Sequence, residues 1–570
     1  MAKRIVIDPI TRIEGHLKIE CTIDNGKVTD AWSAGTLWRG IEAILKGRDA
    51  RDAWMISQRI CGVCTISHAM GSVRAAEHAL DMKIPVNAQY IRNMMIGAHS
   101  VVDNVIHFYV LSLLDWFDLK SAAFDADPQK AADLAESQST WKNNSYATMK
   151  ETQDKLKKLI ESKQLGVFSD GYSGHPEMTL PPEVNLILAT HYFESLHYQR
   201  KANKIVTILG SKTPHVQNLA VGGVANPINP DSQAVLTLER LEYVKTLIDE
   251  LEEFMKEVYN YDVALLASYY PKWSEIGRGQ GNYLSFPEMP MAEDSSNCMI
   301  PGGYIEGYDF STFRKVDSLR DEFIEENVKE SIKHSYFKGD WLRHPYVQNN
   351  DQLESAYDEN NAEKYSWVKA PYFKNKTAEP GPTADVYAMY FSQYKPALET
   401  IDRVFDKIES IGGTRYTIEK LDSTIGRFVS KSIRATVMHD GLKKQWQALL
   451  ENIKKGDFDT FNKPVFTDKE TKGMGVHSAP RGAMVHWSTI KDGRITGYAA
   501  TIPTTWLASP RAHNGERGAY EGALIGLKIA DEKKPLEVVR VIHSYDPCMA
   551  CACHMLDPKG KEYSKVKILG

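Results

Sequence analysis

Two cysteine clusters stand at opposite ends of this chain. Arg59-Ile60-Cys61-Gly62-Val63-Cys64 contains one CxxC pair. Asp546-Pro547-Cys548-Met549-Ala550-Cys551-Ala552-Cys553-His554 contains the other, with a further cysteine and a histidine directly behind it. Two intervening residues let both sulfurs of a pair face one ion from a turn or a helix start. Thiolates are soft donors and select zinc, copper(I), iron–sulfur or nickel–iron chemistry over magnesium or calcium. On spacing alone, two CxxC pairs most often mean a structural four-thiolate zinc site. Here the pairs lie 484 positions apart, from 64 to 548, whereas zinc ribbons close far shorter loops. The neighbouring Cys553-His554 also offers more donors than a closed zinc site needs. Cys21 and Cys298 stand alone and read as small buried hydrophobes.

For the two pairs to share an ion, both chain ends must meet. Residues 3–32 alternate apolar and polar side chains, and Asp24-Asn25-Gly26 interrupts them as a hairpin turn. Helical periodicity follows from Asn87 to Trp116, in one or two helices from Pro128 to Ser162, and then over Glu183 to Leu209 and Ser232 to Ser268. Residues 269–380 are richer in Gly, Pro and aromatics and read as loops with short strands. Helices return over 384–411 and 416–455. The last hundred residues alternate again, with Lys491-Asp492-Gly493-Arg494 as a turn. No internal repeat or low-complexity tract interrupts this order. The expected fold is α+β, a mostly helical multi-helix body with a smaller strand-bearing portion formed from the N- and C-terminal regions.

Composition narrows the classes. The 570 residues are 42% hydrophobic and 25% charged, an ordinary globular balance. A net charge of −5 implies no basic surface for nucleic acid. Seven cysteines, an odd and sparse number, argue against a disulfide framework. No stretch approaches the ~18–20 continuous apolar residues of a membrane helix; Val105 to Phe117 is too short and carries His107 and Asp115. The N-terminus leads from Met1-Ala2-Lys3-Arg4-Ile5 straight into Asp8-Pro9, so no signal peptide is expected. A soluble chain is expected, unless a partner carries it elsewhere.

The residues flanking the cysteines carry a resemblance. Arg-Ile-Cys-Gly-Val-Cys-Thr-Ile-Ser-His (59–68) and Asp-Pro-Cys-Met-Ala-Cys-Ala-Cys-His (546–554) match the first and last signatures of nickel–iron hydrogenase large subunits. Asp8-Pro9-Ile10-Thr11-Arg12-Ile13-Glu14-Gly15-His16, Gly35 to Glu42, Val86 to Asn93, Gly222 to Pro227 and Ala479-Pro480-Arg481-Gly482 fit in the same order. The chain therefore resembles that family over nearly its whole length, nearest to the membrane-associated respiratory uptake group.

The resemblance implies reversible heterolytic oxidation of H2 at a nickel–iron centre. Cys61 and Cys548 would be terminal nickel ligands, and Cys64 and Cys551 would bridge to an iron carrying carbon monoxide and cyanide. A terminal thiolate, Cys548, is the expected first base, because metal coordination keeps it deprotonated yet able to take a proton. Glu14 is the expected proton relay, which requires burial to raise its pKa; the alternative is a carboxylate paired with Arg12. Arg481 would lie over the iron ligands as a fixed cation, with Asp103 and Asp546 as partners and Pro480 and Thr504 as neighbours; a lone arginine is otherwise a surface cation. Glu42, His554 and the Ala500 carbonyl resemble ligands of a third metal, magnesium or iron. His68 is expected to hydrogen-bond rather than to ligate, or else to be a core histidine.

By the same resemblance, residues 1–554 form one compact domain. Residues 555–570 are an extension that a maturation protease removes after nickel insertion by dedicated proteins. Three cysteines remain beyond the four ligands, too few for an electron relay when each cubane cluster wants about four. Electrons would leave through an iron–sulfur small subunit, in a heterodimer or a dimer of heterodimers, to a membrane cytochrome b and quinone. The expected location is the periplasmic face of a bacterial inner membrane, after synthesis and maturation in the cytoplasm. Departures from the family pattern are Cys553, Asn104 in place of a histidine, His477-Ser478 in place of an acidic residue, and Leu507 and Ala519 in place of Asn and Pro. The competing readings are a structural zinc protein and a non-catalytic scaffold like the related subunit of respiratory complex I, which lacks the nickel cysteines.

Overall fold

A computed structural model describes residues 2–230, 232, 236–347, 356–358 and 363–552. Its N-terminal strands Lys3–Ile7, Leu17–Asp24 and Lys27–Gly35 form an antiparallel sheet in sequence order. Asn25 and Gly26, at φ 50° and 72°, close the second hairpin, the backbone that a two-residue turn between right-twisted strands requires. Leu17–Asp24 alternates buried and half-buried side chains, as expected for a strand with one face on the core.

The body is helical. Val86–Val105 is buried on nearly every side and packs along Thr424–Lys454. Gly97 permits that approach, since a Cβ there would stand 2.9 Å from Leu442 Cβ and 3.0 Å from the Met438 carbonyl. The first of these helices continues into a π-helical stretch, Ile106–Ser112, and a short 3-10 turn. By length and composition Val86–Asp115 could cross a membrane, yet 83% of its most apolar stretch is buried inside the protein. Pro182–Gly210 matches its expected span closely, whereas the stretch expected as one helix over 232–268 is divided into Leu238–Phe254, a π-helical segment Met255–Tyr259 and Asn260–Tyr269, and that expected over 384–411 into Pro382–Phe391 and Lys395–Gly412.

The structure adds several helices that the periodicity reading did not name; the longest, Thr65–Ala79, is buried almost throughout and so lacks a polar face, and Leu536–Ser544 falls in the C-terminal stretch read as alternating. The chain ends also do not share one sheet. Thr471–Ala479, Gly482–Lys491 and Arg494–Thr501 form their own antiparallel meander, because each strand pairs with the neighbour that its tight turn delivers. Residues 283–380 hold further small sheets among the described residues, including the parallel pairing of Glu379–Pro380 with Tyr283–Ser285.

The ends meet through backbone instead. Glu14 pairs with Cys548 in a parallel bridge, donating its N–H to the Pro547 carbonyl and accepting from the Met549 N–H at 2.7 Å. Val28 N–H donates to the Leu527 carbonyl at 2.9 Å. Gly15 (φ 84°) makes the first contact possible, because a Cβ there would lie 2.4 Å from Ala550 N.

Glu521 ties three distant segments together: its Oε1 accepts from the Ser33 N–H at 3.0 Å and from the Tyr365 hydroxyl at 2.8 Å. Burial pushes this carboxyl up from 4.5 to about 7. Because the folded value is raised, its contribution to stability is full below about pH 4.5 and is lost as pH rises through about 7. Denaturation of Glu521→Gln at both ends of that window should show about 3 kcal/mol less loss of stability than the unsubstituted chain.

Candidate metal centre

The two CxxC segments converge in a small apolar pocket of their own. Cys61, Cys64, Cys548 and Cys551 pack with Ile60, Met484, Ala500 and Ile502, all buried. Their four sulfurs lie within 4.8 Å of one another. Sγ to Sγ distances are 2.8 Å for Cys548–Cys551, 3.0 Å for Cys64–Cys551 and 3.3 Å for Cys61–Cys548. No disulfide joins any of them.

Local backbone sets each sulfur. Cys61 follows the 3-10 turn Gln58–Ile60, and its sulfur accepts the N–H groups of Val63 and Cys64 at 3.2 and 3.0 Å. Cys64 caps the helix Thr65–Ala79, and Cys551 sits in the short helix Met549–Ala552. Cys548 donates its backbone N–H to Thr504 Oγ1 at 3.2 Å. Arg39 clamps both segments, donating to the carbonyls of Ile60 and Ala550. The sequence reading gave Arg39 no role; its only signal was its place inside a quoted motif.

Burial opposes ionisation here. It pushes the thiols of Cys548 and Cys551 well up and Cys64 to about 11, while hydrogen bonds from Cys548 and Cys551 hold Cys61 well down despite burial. Four sulfurs so close can all be thiolates only around cations. The donor set is all sulfur and buried, which suits soft metals such as nickel and iron.

Glu14 does not pair with Arg12. The Arg12 guanidinium instead reaches Asp115 and the Leu111 carbonyl. Glu14 Oε2 accepts the Ala550 N–H at 3.2 Å and lies 3.6 Å from Cys548 Sγ. Burial, then the negative charge of Cys61, raises its carboxyl to about 7.

Arg481 is not a surface cation. Pro480 and Arg481 form the two-residue tip between paired Ala479 and Gly482. Gly482 (φ 120°) is required there, since a Cβ would meet Gly381 N at 2.4 Å. The guanidinium is buried and donates to Asp103 Oδ2 at 2.8 Å, Asp546 Oδ1 at 2.9 Å and the Asp546 carbonyl at 3.0 Å. Asp546 itself stands at φ 58°, a left-handed conformation that Asp tolerates better than most residues.

Two supports of this tip were not read from the sequence. Lys431 donates to Asp546 Oδ2 at 2.6 Å with both side chains 1% exposed. Its signal was a lysine inside the buried run Phe428 to Ile433, where a charge needs a counterion. The acid missing before Ala479 is supplied in space by Glu288, which accepts the Ser478 N–H at 2.9 Å, pairs with Arg74 at 2.8 Å and hydrogen-bonds His477. Of the other departures, Asn104 turns back to the Ser100 carbonyl of its own helix, and Leu507 and Ala519 are buried.

Glu42 is buried. Its Oε1 accepts the Ala500 N–H at 2.8 Å and lies 3.4 Å from Lys369, which also pairs with Glu330 at 2.7 Å. Ala500 thus touches Glu42 through its backbone N–H. His68 Nε2 stands 3.1 Å from Cys551 Sγ, a hydrogen-bonding distance. Cys553, His554 and the extension 555–570 lie outside the described residues.

Removing Lys431 should leave Asp546 under-compensated. Lys431→Met is expected to lose about 3 kcal/mol of stability, as when one partner of a buried pair is deleted, read as a lowered denaturation midpoint. A change within experimental error would show that Arg481 alone suffices.

Comparison with known proteins agrees with this geometry. The profile of the family described as nickel-dependent hydrogenase matches residues 39–554, and a HoxL-like profile matches residues 4–33. The chain is 48% identical to the Hydrogenase-2 large chain of Escherichia coli strain K12 over 570 residues, covering 100% of both. It is 40% identical to the uptake hydrogenase large subunit of Bradyrhizobium diazoefficiens, covering 99% of this chain and 97% of that one. Among solved structures, a reduced, active nickel–iron–selenium hydrogenase from Desulfomicrobium baculatum superposes with a TM-score of 0.75 at 29% identity, over 97% of this chain and 100% of that one. This chain belongs to the nickel-dependent hydrogenase family.

Proposed function

We infer that this chain oxidises H2 reversibly to two protons and two electrons as the large subunit of a nickel–iron hydrogenase. The observation that carries this is a set of four buried sulfurs from both chain ends, in a chain whose family is nickel-dependent. Similarity to a protein named uptake hydrogenase supports the oxidative direction. Cys61 and Cys548 are proposed as terminal nickel ligands, and Cys64 and Cys551 as the bridges to iron. When bound, the metal pair supplies the Lewis acidity and redox capacity that split H2.

The chain's own residues handle proton and charge. Cys548 Sγ is the proposed first proton acceptor, and Glu14, 3.6 Å away, the next. A carboxyl raised to about 7 by burial can take and release a proton near neutral pH. Arg481 offers fixed donors to the carbon monoxide and cyanide ligands proposed on iron, with Asp103 and Asp546 holding its planar fork in place. Pro480 shares with Arg481 the turn that carries the guanidinium, and Thr504 accepts the Cys548 N–H. His68 steadies Cys551. Glu42, Ala500 and His554 are proposed to hold magnesium or iron as a third metal; a buried carboxylate beside backbone suits a hard ion.

The large-subunit family implies an iron–sulfur small subunit as partner. Beyond it, the reading extends to a heterodimer or dimer of heterodimers, a membrane cytochrome b, a maturation protease and nickel-insertion proteins. It also includes peripheral attachment at the periplasmic face of a bacterial inner membrane. Residues 1–554 are proposed as a single domain and 555–570 as an extension removed on maturation. Its presence would keep the last CxxC open to metal delivery.

Elemental analysis, mass spectrometry and infrared spectroscopy of the purified two-subunit complex test this together. Equal nickel and iron in this subunit, carbonyl and cyanide bands, and a chain ending at His554 are expected. Zinc alone, without such bands in material cut after His554, would leave a structural zinc protein or a scaffold. Glu14→Gln should keep its nickel and bands while H2 oxidation falls by about 10²–10⁴-fold; full activity in that variant would remove Glu14 from the proton path.

A further inference from the structure

The contact between His68 and Cys551 is the last link of a longer chain. His68 Nδ1 lies 3.2 Å from His486 Nε2, and His486 Nδ1 lies 2.5 Å from the Tyr498 hydroxyl. His486 and Tyr498 come from adjacent strands of the C-terminal sheet, Gly482–Lys491 and Arg494–Thr501. Exposures of 1%, 0% and 3% for His68, His486 and Tyr498 leave no route to solvent through these side chains.

Glycines allow the helix to lie directly on that sheet. A Cβ on Gly475 would stand 1.7 Å from the Gly71 carbonyl, and a Cβ on Gly71 would stand 2.8 Å from His486 Cδ2. Gly71 follows His68 by three positions on the same helix face, so the space above it is where the His486 ring fits.

The direction of the chain follows from donor counting, on the reading above that Cys551 is a metal thiolate. A coordinated thiolate has no proton to give, so His68 must donate from Nε2. A neutral imidazole protonated at Nε2 accepts at Nδ1, so His486 must donate from its own Nε2. That leaves His486 Nδ1 as an acceptor, and the Tyr498 O–H fills it. All three donors then point toward one sulfur, the arrangement in which successive hydrogen bonds strengthen one another.

We propose that Tyr498 and His486 are positioning residues that lock His68 in the tautomer donating to Cys551, drawing charge from that thiolate and raising the reduction potential of the centre. Hydrogen bonds to ligand sulfurs are among the groups that set such potentials, and partners behind a ligand tune it through its basicity. Tyr498, itself hydrogen-bonded to Ser72 and Ser57, is buried with the rest of the chain, and the role assigned to the chain is to tune the sulfur.

The test uses the purified two-subunit complex. Tyr498→Phe removes one hydroxyl, and Gly71→Ala presses on the His486 ring, and on Met484 Cε at 3.1 Å, without altering any donor. Both should retain nickel, move the iron carbonyl band to lower wavenumber and shift the potential of the centre downward in spectroelectrochemical titration. Tyr498→Phe keeps the ring that packs in the core, so a packing role alone would move neither in that variant. Bands and potentials unchanged in both variants would overturn the proposal. ¹⁵N-histidine NMR of the unsubstituted complex decides it without any variant: Nε2–H on both His68 and His486 is expected, and Nδ1–H on either overturns it. Absence of carbonyl bands from the unsubstituted complex would instead sink the nickel–iron reading and with it the redox part of the proposal, whereas bands present with Nδ1–H on either histidine would overturn the proposal alone.

Discussion

Everything in this molecule is arranged around four sulfurs that must leave water together. Burial alone disfavours their charged forms, and only cations among them make four thiolates tolerable. The ligands come from positions 61–64 and 548–551, so no local segment can assemble the site. The fold answers with backbone pairing between Glu14 and Cys548, with Gly15 clearing the way for Ala550, and with Arg39 bonded to carbonyls beside both cysteine pairs. The metal pocket is thus closed by main-chain contacts whose geometry varies little, while the long helices supply the bulk that holds them there.

Charge is balanced around the pocket pair by pair. Arg481 lies between Asp103 and Asp546, and Lys431 meets the second of these from the opposite side. Glu288 joins Arg74, His477 and the Ser478 backbone just before the turn that carries Arg481. Arg434 binds the Ser478 and Ala479 carbonyls while paired with Asp385. An arginine planted by so many contacts cannot swing, and a fixed cation is already oriented when charge develops near it, without reorganisation. Such networks stabilise the fold little by themselves; they specify one geometry for the tip between two strands.

Much of the scaffold was legible because its signals are short-range. Asn25-Gly26 and Asp492-Gly493 set hairpin turns through their own backbone preferences. The amphipathic helices showed their period. Thr65–Ala79 escaped that reading because a helix buried all round has no polar face to make a period visible. The separate terminal sheets followed from pairing between sequence neighbours, which a general expectation of packing between the chain ends did not resolve.

By itself the sequence determined the donors: four soft ligands in two pairs, a carboxyl within Asp8 to His16, and an arginine in Ala-Pro-Arg-Gly, with enough flanking pattern to name the family they resemble. Only the tertiary structure decided who meets whom. Glu14 faces Cys548 and leaves Arg12 to Asp115; the acid absent at 477–478 arrives as Glu288; Lys431 becomes the counterion of Asp546. The physical reason is that a hydrogen bond or ion pair is fixed by ångström-scale distance between groups a hundred or more positions apart, and residue type and spacing along the chain carry no record of that distance.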